Sequence, residues 1–221
     1  MPVTLARANS LPNEFAVFPL AGALLLPGGR LPLNIFEPRY LAMIEDAMGQ
    51  GRAIGMIQPD QSRSATPTGP GLYRVGCLGR ITSFSETDDG CFLITLKGLT
   101  RFVISVELEM QRGYRRVRAD FSRFTMDLHG DNDEVDRDTL LDALKIYFKA
   151  RGFEANWDAI NEMADAMLVS TLAMVCPFEP AEKQALLEAA NTQERANALL
   201  ALLRMGAHAS DDDDETGRIV S

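Results

Sequence analysis

Four lysines, two histidines and three cysteines limit the chemistry open to this 221-residue chain. An ATPase needs a glycine-rich loop ending in Gly-Lys-Ser/Thr, because backbone amides and the lysine together hold the phosphates. Lys97, Lys145, Lys149 and Lys183 all fail this test, since none follows a glycine. His129 and His208 stand alone, and no cysteine or histidine pair has ligand spacing, so neither a metal nor another cofactor is expected. Cys91 sits in an alternating run and reads as a small strand residue; as a nucleophile it would need a nearby base, and both histidines are distant in sequence. No Gly-x-Ser-x-Gly elbow occurs, and a serine–lysine dyad has no local support. The expected set of catalytic residues is empty, and the chain is expected not to be an enzyme.

Binding chemistry is better represented. Arg112, Arg115, Arg116 and Arg118 crowd around Tyr114. On a strand, Tyr114, Arg116 and Arg118 share one face, where arginines can meet phosphates and a tyrosine can stack on a base. Against nucleic acid stands the net charge of −9. A repulsive overall field lowers both affinity and encounter rate for a polyanion. A solvated, salt-bridged strand face is the simpler reading of the cluster.

The elements that must position these residues fall into two kinds. From Phe15 to Phe121, short alternating runs broken by Gly, Pro and Asp read as a small β-rich unit. Phe92, Ile94 and Leu96 form one inward set; Phe102, Ile104, Val106 and Leu108 form another. Thr87-Asp88-Asp89-Gly90 supplies a hairpin turn, and residues 61–71 read as an exposed loop. One helix starts at Glu37-Pro38 and buries Tyr40, Leu41, Ile44 and Met48 before Gly49 and Gly51. After the acidic segment near Asp131 the period becomes helical. Leu140, Leu141, Leu144, Tyr147 and Phe148 make a stripe ending at Gly152; Met163, Met167, Leu168, Leu172 and Val175 make another ending before Pro177. Pro180 opens a helix carrying Ala185, Leu186 and Ala189, and Thr192 is the candidate N-cap of one carrying Ala196, Leu199, Leu200 and Leu203. The expected organisation is a β unit over 1–125, a helical bundle over 126–206 and an acidic, disordered tail over 207–221.

Charge is distributed unevenly between these parts. Residues 1–121 sum to +2 and residues 122–221 to −11. Acidic runs near 131–138 and at 211–215 repel themselves and read as solvated linker and tail. The most apolar early stretch, Phe15 to Pro27, is interrupted by Pro19 and Gly22 and is too short to span a bilayer. With three unpaired cysteines and no leader of secretory type, the expectation is a cytoplasmic protein with no membrane anchor.

Val17-Phe18-Pro19-Leu20, Leu24-Leu25-Leu26-Pro27-Gly28 and Leu31-Pro32-Leu33-Asn34-Ile35-Phe36-Glu37-Pro38-Arg39-Tyr40 closely resemble the opening of the Lon protease N-terminal domain family. The similarity continues through Ile54-Gly55-Met56-Ile57-Gln58, Gly76-Cys77-Leu78-Gly79-Arg80-Ile81, Leu96-Lys97-Gly98-Leu99-Thr100-Arg101-Phe102 and Lys183-Gln184-Ala185-Leu186-Leu187-Glu188. The resemblance implies an α+β fold: a PUA-like β pseudo-barrel with one packed helix, followed by an α-helical bundle. In Lon proteases this region engages substrate proteins and helps arrange subunits. Because the ATPase and serine–lysine peptidase modules do not follow, the expectation is a free-standing, non-catalytic copy of the substrate-recognition domain.

That resemblance implies unfolded or client proteins as partners, with a Lon-type protease as a candidate partner too. An RNA-binding PUA-like protein using the Arg112–Arg118 segment is the alternative, and a small enzyme a minor third. Client binding is expected on exposed apolar surface of the barrel, since hydrophobic association is non-directional and tolerates sequence variation. Leu24, Leu25 and Leu26 are the candidate substrate-binding residues, because a strand buries only alternate members of such a run. Glu37 and Arg39 read as an ion pair fixing the helix start, and Phe36 and Tyr40 read as core.

Overall fold

A computed structural model describes residues 11–129 and 134–216, with side chains described through 207. Two compact units divide between Gly130 and Asp131. The division falls a few residues beyond the boundary placed near 125, for a local reason. A 3-10 helix, Ser122–Leu128, stays with the first unit, because its Asp127 carboxylate accepts from the Arg101 backbone N–H at 2.9 Å and from the Arg101 guanidinium at 2.7 Å.

The first unit contains β1 (Glu14–Pro19), β2 (Arg30–Ile35), α1 (Pro38–Gly49), β3 (Ala53–Ile57), β4 (Val75–Glu86), β5 (Phe92–Gln111) and β6 (Tyr114–Asp120). The strands form one mixed sheet in the order β2-β5-β4-β3-β1-β6, and β6 pairs again with β5. Pairing therefore runs from β5 through β4, β3, β1 and β6 back to β5, with β2 left on an edge. Only β1 and β3 run parallel. Inside lie Phe15, Val17, Ile57, Leu78, Phe102, Ile104 and Val117, with Phe15 and Phe102 edge to face at 5.1 Å.

The two alternating runs expected as separate strands are one 20-residue strand, β5. Phe92, Ile94, Leu96, Phe102 and Ile104 are buried as expected, but Val106 is 49% exposed and Leu108 only half-buried. A register shift between Ile104 and Val106 is the cause. Ile104 lies opposite buried Ala119, whereas Val106 lies opposite exposed Arg118. One extra residue on a strand turns its alternation over.

Helix α1 starts where expected, with Glu37 at the N-cap and proline in its first turn. Its inward stripe is Tyr40, Met43, Ile44 and Ala47, at i, i+3, i+4 and i+7. Leu41 and Met48 are half-buried at its margin. Phe36 corrects an expectation: it lies just past β2, 65% exposed, and is not core.

The second unit comprises α2 (Arg137–Arg151), α3 (Trp157–Glu162), α4 (Asp165–Val175), α5 (Pro180–Glu188) and α6 (Thr192–Thr216), of which α6 packs against α2, α4 and α5. Asp136 caps α2 by accepting from the Thr139 N–H, and Gly152 closes it in the left-handed conformation. Leu140, Leu144 and Tyr147 are buried as read, whereas α4 buries Leu168, Val169, Leu172 and Ala173 and leaves Met167 and Val175 exposed. Of the stripe expected from Met163 onward, Met163 itself lies outside α4, at the C-cap of α3. Arg137 holds that junction, donating to the carbonyls of Ile160, Asn161 and Met163 and to Asp165.

At α6 the cap is Asn191, one residue before the expected Thr192; its side chain accepts from the Glu194 N–H at 2.8 Å. The chain expected as a disordered tail from 207 is helical through Thr216, and 217–221 lie outside the described residues. Gly206 does not end the helix. A Cβ there would lie 2.6 Å from the Tyr147 ring, so glycine permits close packing of α6 on α2. No proline follows it to stop the helix.

Candidate functional site

The leucine run is the first candidate, and the structure removes it from the surface. Leu24, Leu25 and Leu26 are 2%, 1% and 0% exposed. The expectation of exposure rested on strand alternation, but these residues form no strand. They lie as irregular chain across β4 and β5, where no alternation applies. A Cβ on Gly98 would fall 2.0 Å from the Leu26 carbonyl oxygen, and one on Gly79 would fall 2.8 Å from Leu25 Cδ2. The missing side chains let the leucines descend onto the sheet. Flanking hydrogen bonds hold them there: Gly28 N–H donates to the Gly98 carbonyl at 3.0 Å, and Gly98 N–H to the Gly29 carbonyl at 2.9 Å.

The arginine-rich strand is the second candidate. Tyr114, Arg116 and Arg118 do share a face of β6, but Tyr114 is only 3% exposed and its hydroxyl donates to Asp46 at 2.7 Å. A ring so enclosed cannot stack on a base. Burial and the Asp46 carboxylate push its phenol up to about 12, and the same hydrogen bond, with help from Arg112, holds Asp46 below its ordinary value. The arginines are engaged as well. Arg112 pairs with Glu45 at 2.7 Å and Asp46 at 2.8 Å. Arg118 pairs with Glu14 at 2.7 Å, and Arg116 lies 3.8 Å from the same carboxylate. Arg115 turns inward, donating to Glu107 at 2.6 Å and to the Pro70 carbonyl at 2.7 Å.

The helix-start residues form a third group. Arg39 donates to Glu37 through Nε at 3.0 Å and a terminal nitrogen at 2.8 Å, both residues being about half exposed. The Arg39 guanidinium lies 4.5 Å over the Tyr40 ring, which packs edge-on against Phe18 at 4.4 Å. Burial raises the Tyr40 phenol. The Tyr40–Phe18 contact ties α1 to β1, the Glu37–Arg39 pair being local to the helix start, and among these residues only Phe36 offers an open apolar side chain.

Thiol chemistry finds no activated group. Cys77 and Cys176 are buried, and burial pushes the Cys176 thiol up to about 11. Desolvation and the neighbouring Asp89 raise the Cys91 thiol. Each shift lowers the thiolate fraction on which nucleophilicity depends. Among the described residues no three of His, Cys, Asp and Glu converge to hold a metal ion.

Several large apolar side chains of the β unit are also open. Phe36, Leu93 and Phe84 are 65%, 47% and 40% exposed. Leu93 on β5 lies opposite Asn34 on β2, two residues before Phe36. Phe84 pairs across β4 and β5 with Ile94 and touches the Phe92 ring at 4.9 Å. Leu93 and Phe36 thus lie near the end of edge strand β2, whereas Phe84 shares the opposite face of the sheet with Phe92 and Ile94. Sequence reading missed Phe36 because its apolar type points inward by default; its place at the strand end, before a proline that starts a helix, was the available signal.

Comparison with known proteins agrees with this architecture. A profile described as the ATP-dependent protease La (LON) substrate-binding domain matches residues 14–205. Lon protease 2 of Myxococcus xanthus is 28% identical over 119 residues, covering 54% of this chain and 14% of that protein. Lon protease of Flavobacterium johnsoniae is 24% identical over 199 residues, covering 85% of this chain and 23% of that protein. The chain thus spans less than a quarter of the length of these relatives. Among solved structures, a Lon N-terminal domain protein from Xanthomonas campestris superposes with a TM-score of 0.59 at 22% identity, covering 85% of this chain and 97% of that one. The N-terminal domain of Mycobacterium avium complex Lon protease does so with a TM-score of 0.61 at 16% identity, covering 86% and 97%. With the profile spanning both units, the chain belongs to the Lon substrate-binding domain family.

Proposed function

We propose that this chain is a non-catalytic module that binds unfolded or partly folded client proteins in protein quality control, through apolar surface on its β unit. The observation that carries the reading is the family match over residues 14–205, taken with the exposed Phe36 and Leu93 near the end of edge strand β2. Exposed large apolar side chains beside a sheet edge suit a binder of many sequences, because their association scales with area and has no directional demand. A Lon-type protease is the natural recipient of such clients, and the cytoplasm the expected setting. No helix of the described residues is long and apolar enough to cross a membrane.

RNA binding is the weaker reading, because the aromatic it requires is buried and its arginines already face carboxylates. Binding of a chemically unfolded model protein, followed by fluorescence anisotropy across a salt titration, tests both. Phe36→Ser with Leu93→Ser should weaken binding about tenfold or more with little dependence on salt, since loss of two apolar contacts is worth about 1.5–3 kcal/mol for each fully buried side chain. Arg116→Ala with Arg118→Ala should leave it nearly unchanged. Binding that ignores the first pair but collapses with salt or with the second would return the charged strand to first place.

A further inference from the structure

On the second unit, a shallow groove of about 440 Å³ is lined by Lys145, Phe148, Lys149, Phe153 and Trp157. It is built by one face of α2, the turn after Gly152 and the first residue of α3. Phe148 is its floor, with the Phe153 ring edge-on at 5.8 Å and the Trp157 ring at 6.0 Å. Phe153 is 43% exposed and α3 buries none of its residues, so this aromatic cluster stands open on the unit's surface. Lys145 and Lys149, four apart on α2 and so on one side of it, line the groove beside Phe148; a lysine stem can pack on apolar surface while its ammonium stays in water.

The charge of this groove runs against its surroundings. Residues 122–221 sum to −11, yet the groove's only charged lining residues are two lysines. Glu154 and Asp158, next in sequence to Phe153 and Trp157, are exposed but do not line it. Asp142 pairs with Lys145 at 3.1 Å, but both side chains are more than half exposed. Such a pair is weak and exchanges readily for another carboxylate.

We propose that this groove docks polypeptide segments in which an aromatic or large aliphatic side chain is flanked by carboxylates. The apolar anchor enters among Phe148, Phe153 and Trp157, and the flanking carboxylates meet Lys145 and Lys149. The inference rests on the reading of the chain as a polypeptide binder and adds a substrate class to it. A single-stranded nucleic acid would also offer rings and negative charge. It is disfavoured because two lysines in a strongly acidic unit make a poor electrostatic footprint for a polyanion.

Trp157 is the only tryptophan in the chain, so its emission reports on the groove directly. The full chain is titrated with three short peptides: acidic with a central phenylalanine, acidic with that phenylalanine replaced by serine, and lysine-rich with the phenylalanine retained. An oligouridylate serves as the nucleic-acid arm. The first peptide should shift Trp157 emission and bind about tenfold more tightly than either of the others at low salt, with the charge preference shrinking as salt screens it. Lys145→Glu with Lys149→Glu should reverse the preference between the acidic and lysine-rich phenylalanine peptides, with far-UV circular dichroism unchanged because both side chains lie at the surface. Phe153→Ala should weaken both. Equal binding of the two phenylalanine peptides, or a preference for oligouridylate, overturns the proposal. A silent Trp157 while the unfolded model protein still binds overturns the groove but leaves the client-binding reading intact. Failure of the unfolded protein to bind at all removes that reading, and this one with it.

Discussion

Replacing Asp127 by alanine should be among the most damaging single changes in the β unit, although the residue touches no candidate binding surface. Its carboxylate accepts from Arg101 Nε at 3.0 Å, a terminal guanidinium nitrogen at 2.7 Å and the Arg101 backbone N–H at 2.9 Å. The two side chains are 3% and 8% exposed, and the guanidinium lies 4.3 Å over the Phe124 ring. Two effects compete in pricing the pair. Burying both charges is expensive, so the intact pair is worth little against an apolar replacement; removing only the carboxylate leaves a desolvated cation, which costs about 3–5 kcal/mol. Against a typical total stability of about 5–15 kcal/mol this is a large share. At about 2–4 °C per kcal/mol for a chain of this length, the melting temperature should fall by about 6–20 °C. Urea unfolding followed by far-UV circular dichroism measures the loss. Glu45→Ala, which breaks the half-exposed pair with Arg112, should cost less than about 1 kcal/mol and serves as the solvated control. Arg101→Met with Asp127→Leu should recover most of what Asp127→Ala loses. If Asp127→Ala costs no more than Glu45→Ala, the pair is solvated in solution. If the double variant is as unstable as the single one, the cost does not come from a stranded charge.

Two further outcomes follow from the buried sites. Leu25→Ser should destabilise the chain by about 3–5 kcal/mol, because it opens a cavity where a leucine is 1% exposed and buries a hydroxyl there; a variant with unchanged urea midpoint would show the leucine run lying on the surface after all. Tyr114→Phe should cost about 1–2 kcal/mol at neutral pH by removing the hydrogen bond to Asp46. Asp46 is held below its ordinary value of 3.8 in the folded chain, so its contribution is present above that pH and is lost as pH falls through the lowered value. Tyr114 is raised from 10.0 to about 12, so its contribution is complete below pH 10.0 and fades as pH rises towards about 12. The stability gap between wild type and Tyr114→Phe should therefore close at both ends of a pH series, and a gap that stays constant would refute the assignment.

Local rules decide most of the secondary structure, and for that reason it was legible in the sequence. Pro38 after Glu37 marks the start of α1, Gly152 the end of α2, and Thr87-Asp88-Asp89-Gly90 the β4–β5 turn, because each depends on backbone geometry within a few residues. The absence of a phosphate loop is likewise a property of order along the chain. The Lon-like succession of segments indicated the fold class, and those at 17–19, 31–35, 54–57, 76–81 and 96–102 do pair with one another in the sheet.

Exposure was a different matter, because burial depends on what a distant segment lays over a residue. Leu24, Leu25 and Leu26 lie buried because Gly79 and Gly98, more than fifty residues away, leave room for them. Val106 faces outward because a register shift against β6 turns β5 over. Phe36 is exposed although Ile35 before it is core, and Tyr114 is enclosed by Asp46 of α1 although its strand is charged. Residue type alone could nominate these positions as apolar or basic. Which of them stays exposed was decided only when the strands paired and α1 settled against the sheet.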